Sequence, residues 1–394
     1  MKKLLTTKNF RLYPTKEQKR LLDRELNFYR HYFNSLKAAI TRRREESLIP
    51  LVEQDIVEIC KATKEKILKL DFDFNKYYYR SHIKFATDNM MLAFKYPRKK
   101  GLKKYHLEKT TIKIDDPSCY VMLNHLYFKN NIKIKLRPKV ETLNGVSFYT
   151  ITKNRNKYYL TAVIFIDAIR VKKTGKGCGI DVGFRNGLVL YNTDGEVSEY
   201  KFQNAKVDRL FKQAEFYKKT IENIEAKNKD YIVSKNYQKV TNKLARTYER
   251  ITNIRNHEFN LVSENLALKY DLIVVEDLEI EDIYKGNVKR YEISKASYGR
   301  FFDYLKNKCQ KYNKYFIKVP RFYPSSQICS ECGVIHKEMK DYRDAKMMIC
   351  ECGYKEDRDI NAAKNILRYG LGELRRRNQN NKDKYKKGKN VEAK

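Results

Sequence analysis

Two cysteine pairs stand shortly before a predicted helix start, between residues 329 and 365. The pairs are Cys329-x2-Cys332 and Cys350-x-Cys352, and 17 residues separate them. A tetrahedral Zn²⁺ ion takes four soft ligands, and two close pairs on two turns can supply them. The pattern therefore predicts a structural zinc site without an open position. The short second spacing leaves His336 as an alternative to one sulfur, although an exposed loop histidine explains His336 more simply.

The remaining four cysteines are scattered singly, which argues against a disulfide framework. They are Cys60, Cys119, Cys178 and Cys309. Such usage is typical of a reducing compartment. The N-terminal residues contain no apolar run long enough for a signal peptide, and no run approaches the ~18 apolar residues of a membrane span. We therefore expect a cytoplasmic, nucleoid-associated protein with no membrane partner.

The charge balance points to a polyanionic partner. The chain has 394 residues, and 84 Lys and Arg against 48 Asp and Glu give a net charge of +36. Such an excess favours nucleic acid, although a generally basic composition is the alternative. The 31 tyrosines, many beside Lys or Arg, are suited to stacking on bases.

The N-terminal half predicts a β domain with a helical insertion. Residues 3–13 resemble a strand, and Thr15 with Gln18 forms a capping box that begins a helix. Period-two alternation from residue 111 to 169 predicts a small antiparallel barrel or sheet over residues 105–172, completed by the strand at 1–13. The intervening residues 14–104 predict a helical lobe. Its first helix has apolar residues at three- and four-residue spacing, namely Leu22, Leu26, Tyr29, Phe33, Leu36 and Ile40.

A basic segment ends this helical lobe. Its cations are Lys95, Arg98, Lys99, Lys100, Lys103 and Lys104. A charge run of this kind is usually a solvated loop. Its place between helical and β regions makes contact with nucleic-acid phosphates an equally good interpretation, so these six residues are candidate nucleic-acid ligands.

The C-terminal half predicts an α/β domain over residues 173–324 and 355–372. Turn signals at Asn186-Gly187 and Asp194-Gly195 predict three hairpin-linked strands, the first within GCGIDVG. Residues 206–269 predict a helical hairpin, and DLIVVEDL is typical of a buried parallel strand. The cysteine module, residues 325–354, interrupts this domain. Residues 371–394 hold nine basic and three acidic residues, so we expect a disordered basic tail over 373–394.

Three carboxylates in this half have ordinary explanations one by one. Asp181 lies within the first strand and could be a lone satisfied acid, Glu276 ends the parallel strand beside an acidic loop, and Asp359 could cap a helix. Together they can converge on one sheet edge. Three acids there would hold two Mg²⁺ or Mn²⁺ ions and hydrolyse a phosphodiester, which is the arrangement of the ribonuclease H-like nucleases.

The ordered set of motifs resembles the TnpB family, the RNA-guided nucleases of insertion sequences that are related to type V CRISPR effectors. The opening KNFRLYPTKEQKRLLDRELNFYRHYFN and the segment VSFYTITKNRNKYYLTAVIF carry the resemblance in the first half. The motifs GIDVG, VVEDL, FYPSSQICSECG and DRDINAAKNI carry it in the second.

This resemblance implies a multidomain α+β architecture: a RuvC-like, RNase H-like nuclease core with an inserted zinc finger, and a β-barrel wedge domain with an inserted helical recognition lobe. It makes Asp181, Glu276 and Asp359 the catalytic magnesium ligands. It makes the zinc ligands Cys329, Cys332, Cys350 and Cys352. It also implies a guide RNA, a short DNA motif beside the target, and cleavage of double-stranded DNA.

Two other functions remain open from the sequence. A relative that has lost catalytic acids would bind DNA under RNA guidance without cutting it, but all three acids are present here. An accessory transposase would bind the ends of its element directly, and the sequence offers no clear helix-turn-helix for that role.

Overall fold

The computed structural model describes residues 3–47, 50–69, 76–95, 109–114, 119–128, 132–183, 187–202, 204–227, 234–277, 298–337 and 346–391. The chain divides into two compact units, Met1–Asp167 and Ala168–Lys394. This division falls five residues before the predicted boundary at 172, because the last strand of the first unit ends at Asp167. None of the helices in the described ranges combines the length and the apolar character needed to cross a membrane.

The first unit is built on a seven-stranded sheet. Its strands are β1 (Lys3–Tyr13), β2 (Lys109–Ile114), β3 (Tyr120–Met122), β4 (His125–Phe128), β5 (Ile132–Arg137), β6 (Val146–Asn154) and β7 (Lys157–Asp167). The order is β2-β6-β7-β1-β5-β4-β3, so β1 lies centrally between two strands that follow it by more than a hundred residues. The predicted closure into a barrel is not found among the described residues, where β2 and β3 are the two edges of an open sheet.

The described residues of this unit also form three helices, namely α1 (Lys16–Glu46), α2 (Glu53–Lys69) and α3 (Lys76–Lys95). Helices α1 and α3 pack against β2, and α2 packs against α1 and α3. The predicted capping box begins α1: the Thr15 side chain accepts from the amide of Gln18, and the Gln18 side chain accepts from the amide of Thr15. All six apolar residues predicted to face the core from α1 are buried. The helices and the sheet share one hydrophobic core. The predicted lobe and wedge are therefore parts of one unit.

The basic segment lies almost wholly outside the described residues. Lys95 is the last residue of α3, and the other five cations fall in the range 96–108, which the structure does not describe. Their role in binding nucleic acid stays a prediction.

The second unit contains a mixed five-stranded sheet in the order β10-β9-β8-β11-β12. Its strands are β8 (Gly177–Gly183), β9 (Gly187–Asn192), β10 (Val197–Tyr200), β11 (Leu272–Glu276) and β12 (Tyr315–Val319). The first three pair antiparallel, and β11 runs parallel to both β8 and β12. Two further strands, β13 (Met347–Ile349) and β14 (Lys355–Asp357), form a separate ribbon in the cysteine module.

The described residues of this unit form four helices. They are α4 (Ala205–Lys227), α5 (Lys235–Lys269), α6 (Tyr298–Lys311) and α7 (Arg358–Val391). Helices α5 and α6 pack over one face of the sheet in a core rich in aromatic rings. Helix α7 packs on the other face, against β8 and β11. The sheet is thus covered on both sides, as a sheet with buried parallel strands requires.

The predicted disordered tail is helical over most of its length, because α7 continues to Val391. Extending an existing helix avoids the cost of nucleation. The exposed part begins at Arg375, and the carboxylate of the preceding Glu373 pairs with Arg376 and Arg377 one turn later. Such pairs support a helix even where few side chains are apolar. The prediction of a disordered tail, which is based on charge composition alone, is therefore wrong for residues 373–391.

Helix α7 approaches the sheet closely at two glycines. A Cβ on Gly179 of β8 would lie 2.3 Å from the carbonyl oxygen of Ala363 and 2.6 Å from the amide nitrogen of Leu367. A Cβ on Gly370 of α7 would lie 2.1 Å from a methyl group of Val274 on β11. Only a residue without a side chain fits at either position, so the two glycines fix how near the helix lies.

We expect Gly179→Ala to destabilise the chain by about 2 kcal/mol or more, because the clash is with backbone atoms of α7 and cannot be relieved by a rotamer change. Gly372→Ala is the matched control, since it lies on α7 itself and a Cβ there would meet no neighbouring atom within 4 Å. It should be neutral or stabilising by up to about 1 kcal/mol. Urea unfolding of both variants measures the difference, and equal effects would contradict the close approach.

Candidate carboxylate site and metal centre

Two of the predicted acids lie side by side at the carboxyl ends of neighbouring parallel strands. Val275 of β11 is opposite Ile180 of β8, so Glu276 and Asp181 occupy the next step of the same register. Side chains alternate along a strand, and positions in register on parallel strands share a face. Asp181 therefore lies on the same face as Gly179, and Glu276 on the same face as Val274. This is the face that α7 covers.

Helix α7 brings the third acid to the same place. Gly179 lies against both Ala363 and Leu367, which are one helical turn apart, and the end of the Leu367 side chain also reaches Gly177. Asp359 lies one turn before Ala363 in the same helix. The charge of Asp359 acts on Asp181, so the first turn of the helix lies near that aspartate.

The electrostatics agree with this placement. Burial raises the pKa of Asp181 well above its ordinary value, and the negative charges of Glu276 and Asp359 raise it further. The backbone amide of Val182 and the guanidinium of Arg358 lower the pKa of Asp181 only in part. Burial also raises the pKa of Glu276. Because both neighbouring acids disfavour the charge of the buried Asp181, divalent cations would relieve this arrangement.

Asp357, and not Asp359, caps the helix. The Asp357 side chain accepts hydrogen bonds from the amides of Asp359 at 2.8 Å and Ile360 at 3.3 Å. These amides are among the first of α7 and would otherwise lack intrahelical acceptors. The ordinary explanation of Asp359 as an N-cap is thereby wrong, since that role belongs to its neighbour.

The four predicted cysteines come together in the module. Their sulfur atoms all lie within 4.8 Å of one another. Cys329 Sγ is 3.8 Å from Cys352 Sγ, and Cys332 Sγ is 3.5 Å from Cys350 Sγ. Tetrahedral Zn–S bonds of about 2.3 Å would place sulfurs about 3.8 Å apart. The set therefore has the dimensions of a four-thiolate zinc site, and His336 is not part of it.

A tight turn accommodates the short Cys350-x-Cys352 spacing. The amide of Gly353 donates to the carbonyl of Cys350 at 3.0 Å, and the amide of Cys350 donates to the carbonyl of Tyr354 at 2.9 Å. Gly353 has a φ of +87°, which L side chains rarely adopt. At the first pair, burial raises the pKa of Cys329, but hydrogen bonds from the backbone amides of Cys332 and Glu331 and from the Cys332 and Cys352 side chains outweigh burial, and the pKa falls to about 7. At the second pair, the backbone amide of Cys352 lowers the pKa of Cys350, but burial and hydrogen bonds with the other thiols outweigh this effect and raise the pKa to about 12.

The acids are spread more widely than the sulfurs. In the part of the chain that the structure describes, the cysteines are the set of metal-binding side chains gathered closely enough to share one ion. Among the described residues, Asp181, Glu276 and Asp359 are not gathered that closely.

Sequence reasoning missed two residues that join the module to the helix. Asn361 and Asn365 of α7 are completely buried and bond to backbone groups of residues 325–330. The available signal was their four-residue spacing within NAAKN, which puts two amides on one face of a helix.

Comparison with known families places the motifs in a common context. A family profile described as a probable transposase matches residues 153–287, which include Asp181 and Glu276. A profile described as the TNB domain of Cas12f1-like proteins matches residues 298–366, which include the four cysteines and Asp359. A third, described as a helix-turn-helix domain, matches residues 1–48. The described residues 3–47 form one strand and one continuous helix, α1.

Individual relatives agree with these profiles. A protein of Acanthamoeba polyphaga mimivirus named "TnpB-like protein L79" is 25% identical over 401 residues, covering 93% of this chain and 74% of that protein. The resemblance to the TnpB family is confirmed. A Streptomyces pristinaespiralis protein named "Putative RNA-guided DNA endonuclease" is 28% identical over 223 residues. That match covers 56% of this chain and 52% of the relative, so it spans about half of the relative's length.

A solved structure shares the fold of this chain. It is a Cas12f1 complex with single guide RNA and target DNA, and it superposes with a TM-score of 0.54 at 15% identity. The match covers 89% of this chain and 83% of Cas12f1. The mixed α/β architecture is therefore that of Cas12f1.

We expect Asp357→Ala and Asp359→Ala to separate helix capping from the binding of divalent cations. Asp357→Ala should lower the free energy of unfolding by about 1 kcal/mol, because it removes the helix cap. It should keep the stabilisation that Mn²⁺ gives the wild-type chain. Asp359→Ala should lose that stabilisation, which at a hundredfold excess over the dissociation constant amounts to about 2.7 kcal/mol. Thermal unfolding with and without Mn²⁺ measures both, and equal responses to Mn²⁺ would contradict the assignment.

We also expect a pH dependence that Asp181→Asn removes. The pKa of Asp181 is higher in the folded chain than its ordinary value of 3.8, so the folded state binds this proton more tightly than the unfolded state. Without divalent cations, stability from this group falls as pH rises from about 4 through the raised pKa. Asp181→Asn should therefore be more stable than wild type at neutral pH, by roughly 1 to 3 kcal/mol, with the difference vanishing near pH 4. A constant difference at all pH values would contradict the buried carboxylate.

Proposed function

We propose that the chain is a metal-dependent, RNA-guided DNA endonuclease encoded by a transposable element. The convergence of Asp181, Glu276 and Asp359 on one edge of the five-stranded sheet carries this proposal. Strand order, strand direction and the helix that supplies the third acid support a RuvC-like, RNase H-like core. The resemblance to the TnpB family supports the same activity.

In this proposal the three carboxylates hold two Mg²⁺ or Mn²⁺ ions. Oxygen ligands of negative charge suit these hard cations. When bound, the ions activate a water molecule and stabilise the oxygen that leaves the phosphodiester. The chain's own part is positional: β8 and β11 fix two acids in adjacent register, and the first turn of α7 fixes the third. The raised pKa of Asp181 fits ligands whose charges are meant to be shared with cations.

Guide RNA and target DNA are the proposed partners. The net charge of +36 supplies the attraction that a long polyanion needs. In such systems base pairing reads the target, while the protein recognises the shape of the heteroduplex and a short adjacent DNA motif. The names of the relatives and the contents of the Cas12f1 complex support these partners. A nucleoid location in the cytoplasm belongs to the same proposal.

The zinc site has a structural role in this proposal. Cys329, Cys332, Cys350 and Cys352 would fill all four positions of a tetrahedral Zn²⁺ ion, so no position is left for substrate or water. The ion would hold two turns together in a module with little apolar core of its own.

The test is cleavage by the natural particle. The protein is expressed with the DNA that flanks its gene, the bound RNA is sequenced, and the complex is incubated with a plasmid carrying the matching target and Mg²⁺. We expect wild type to cut and Asp181→Ala to cut on the order of 10³-fold more slowly while keeping its RNA. Asp303→Ala, which removes an exposed acid of α6, is the matched control and should cut normally.

Each other result points to a different function. Target binding without cutting by wild type, in both Mg²⁺ and Mn²⁺, would mean an RNA-guided binding protein. Specific binding to the ends of the element without RNA would mean an accessory transposase. Undiminished cutting by Asp181→Ala would remove this acid from the catalytic site.

A further inference from the structure

The cysteine module and helix α7 are joined by two buried amides. Asn361 and Asn365 are both 0% exposed, and their four-residue spacing puts them on one side of the helix. Their neighbours Ala362, Ala363 and Ile366 are equally buried but apolar. Amides are unusual at such positions unless hydrogen bonds satisfy them. Both asparagines bond to the same short loop, residues 325–330, and only the side-chain oxygen of Asn365 has no hydrogen-bond partner.

Each asparagine grips the backbone of that loop. Asn361 accepts a hydrogen bond from the amide of Ser330 at 2.9 Å and donates to the carbonyl of Ile328 at 2.8 Å. Asn365 donates to the carbonyls of Ser325 at 2.9 Å and Ile328 at 2.6 Å. The carbonyl of Ile328 therefore accepts from both side chains. These contacts with backbone groups fix position and direction, which apolar packing does not.

The loop held in this way belongs to the cysteine site. Ser330 lies between Cys329 and Cys332, and its hydroxyl donates to the hydroxyl of Tyr354, which follows the second cysteine pair, at 2.8 Å. Anything that orders the four sulfurs therefore orders Ser330 and Ile328. At the other end of the contact, Asn361 lies two residues after Asp359 in the same rigid helix. The chain of contacts from the sulfurs to the third acid is short and consists of directional bonds.

We propose that Asn361 and Asn365 are positioning residues that couple zinc loading at the four cysteines to the placement of Asp359. With zinc bound, the loop 325–330 is a fixed support that sets the position of α7 along the sheet. Without zinc, the two side-chain amides bond to a loop that is no longer ordered, and the first turns of α7 lose their fixed position on the sheet. Only the catalytic consequence of this coupling rests on the proposed function; the structural part does not.

The structural part is tested by hydrogen exchange on the full chain with zinc and after its removal by a chelator. In wild type, zinc removal should speed amide exchange across residues 359–367 at least tenfold. In Asn365→Leu, a substitution of similar size that removes both donors, exchange should already be fast with zinc bound and should change less than twofold on zinc removal. Asn361→Asp, which keeps the acceptor for Ser330 but loses the donor to Ile328, should show the same loss of response.

Two controls separate coupling from general loss of stability. Leu374→Ala removes apolar packing from the same helix, in its cluster with Ile366, and should keep the zinc-dependent change in exchange. The Co²⁺-substituted protein should show the same thiolate absorption bands in wild type and both asparagine variants, because the metal site itself is intact. An unchanged exchange rate in wild type after zinc removal, or a normal zinc response in Asn365→Leu, would overturn the proposal.

The catalytic part of the proposal is tested by comparing the rate of DNA cleavage with the affinity for target DNA. Asn365→Leu should lower the single-turnover cleavage rate at least tenfold while its affinity for target DNA stays within twofold of wild type. A variant that was simply less folded would lose both together. If wild type does not cut DNA, the proposed function fails while the exchange experiment still decides the coupling. If wild type cuts and Asn365→Leu cuts equally fast, the coupling to Asp359 fails while the function stands.

Discussion

The carboxylate of Asp181 is buried in the sheet, where burial and the negative charges of two neighbouring acids disfavour its ionised form. Taking a charge out of water is costly unless something compensates it. The amide of Val182 and the guanidinium of Arg358 offset part of that cost. In the proposed function, bound cations would offset the remainder. Stability is thereby given up at the place where chemistry is proposed, which is a common exchange in enzymes.

The position of α7 depends on two kinds of contact that do different work. Close approach at Gly179 and Gly370 sets the distance between helix and sheet. The hydrogen bonds from Asn361 and Asn365 fix the position of the helix along its own axis. A buried carbonyl left without a partner costs about 1 to 3 kcal/mol, so the amide contacts penalise any sliding by a fraction of a turn. Apolar packing alone would tolerate such movement more easily.

Local chemistry makes much of this structure predictable from sequence. The capping box at Thr15, the apolar spacing of α1, the turn at Asp194-Gly195 and the cysteine pairs are all short-range patterns, and each is present as expected. The three acids are also recognisable, because one lies within an apolar strand, one at a strand end and one at a helix start. What the sequence could not provide is register. That Asp181 stands beside Glu276 depends on pairing between strands about ninety residues apart, and no local pattern encodes it.

The errors in the sequence-based predictions have the same origin. Alternation over residues 105–172 predicts strands but not whether the outer two meet, and the described residues form an open sheet instead of the expected barrel. The charge of the tail says nothing of the packed helix from which it continues. Asp359 resembles a cap because Asp357, two residues earlier, offers the same side chain, and only coordinates decide between them.

The contact between Gly370 and Val274 has a consequence for how this sequence can change over time. The atoms in the way of a side chain at 370 are the methyl groups of Val274, whereas at Gly179 they include backbone atoms of α7. A larger residue at 370 is therefore admissible if position 274 becomes smaller, but no second side-chain change makes room at 179. At this contact between helix and sheet, a substitution at position 370 therefore needs a compensating substitution at position 274. Position 179 tolerates no substitution.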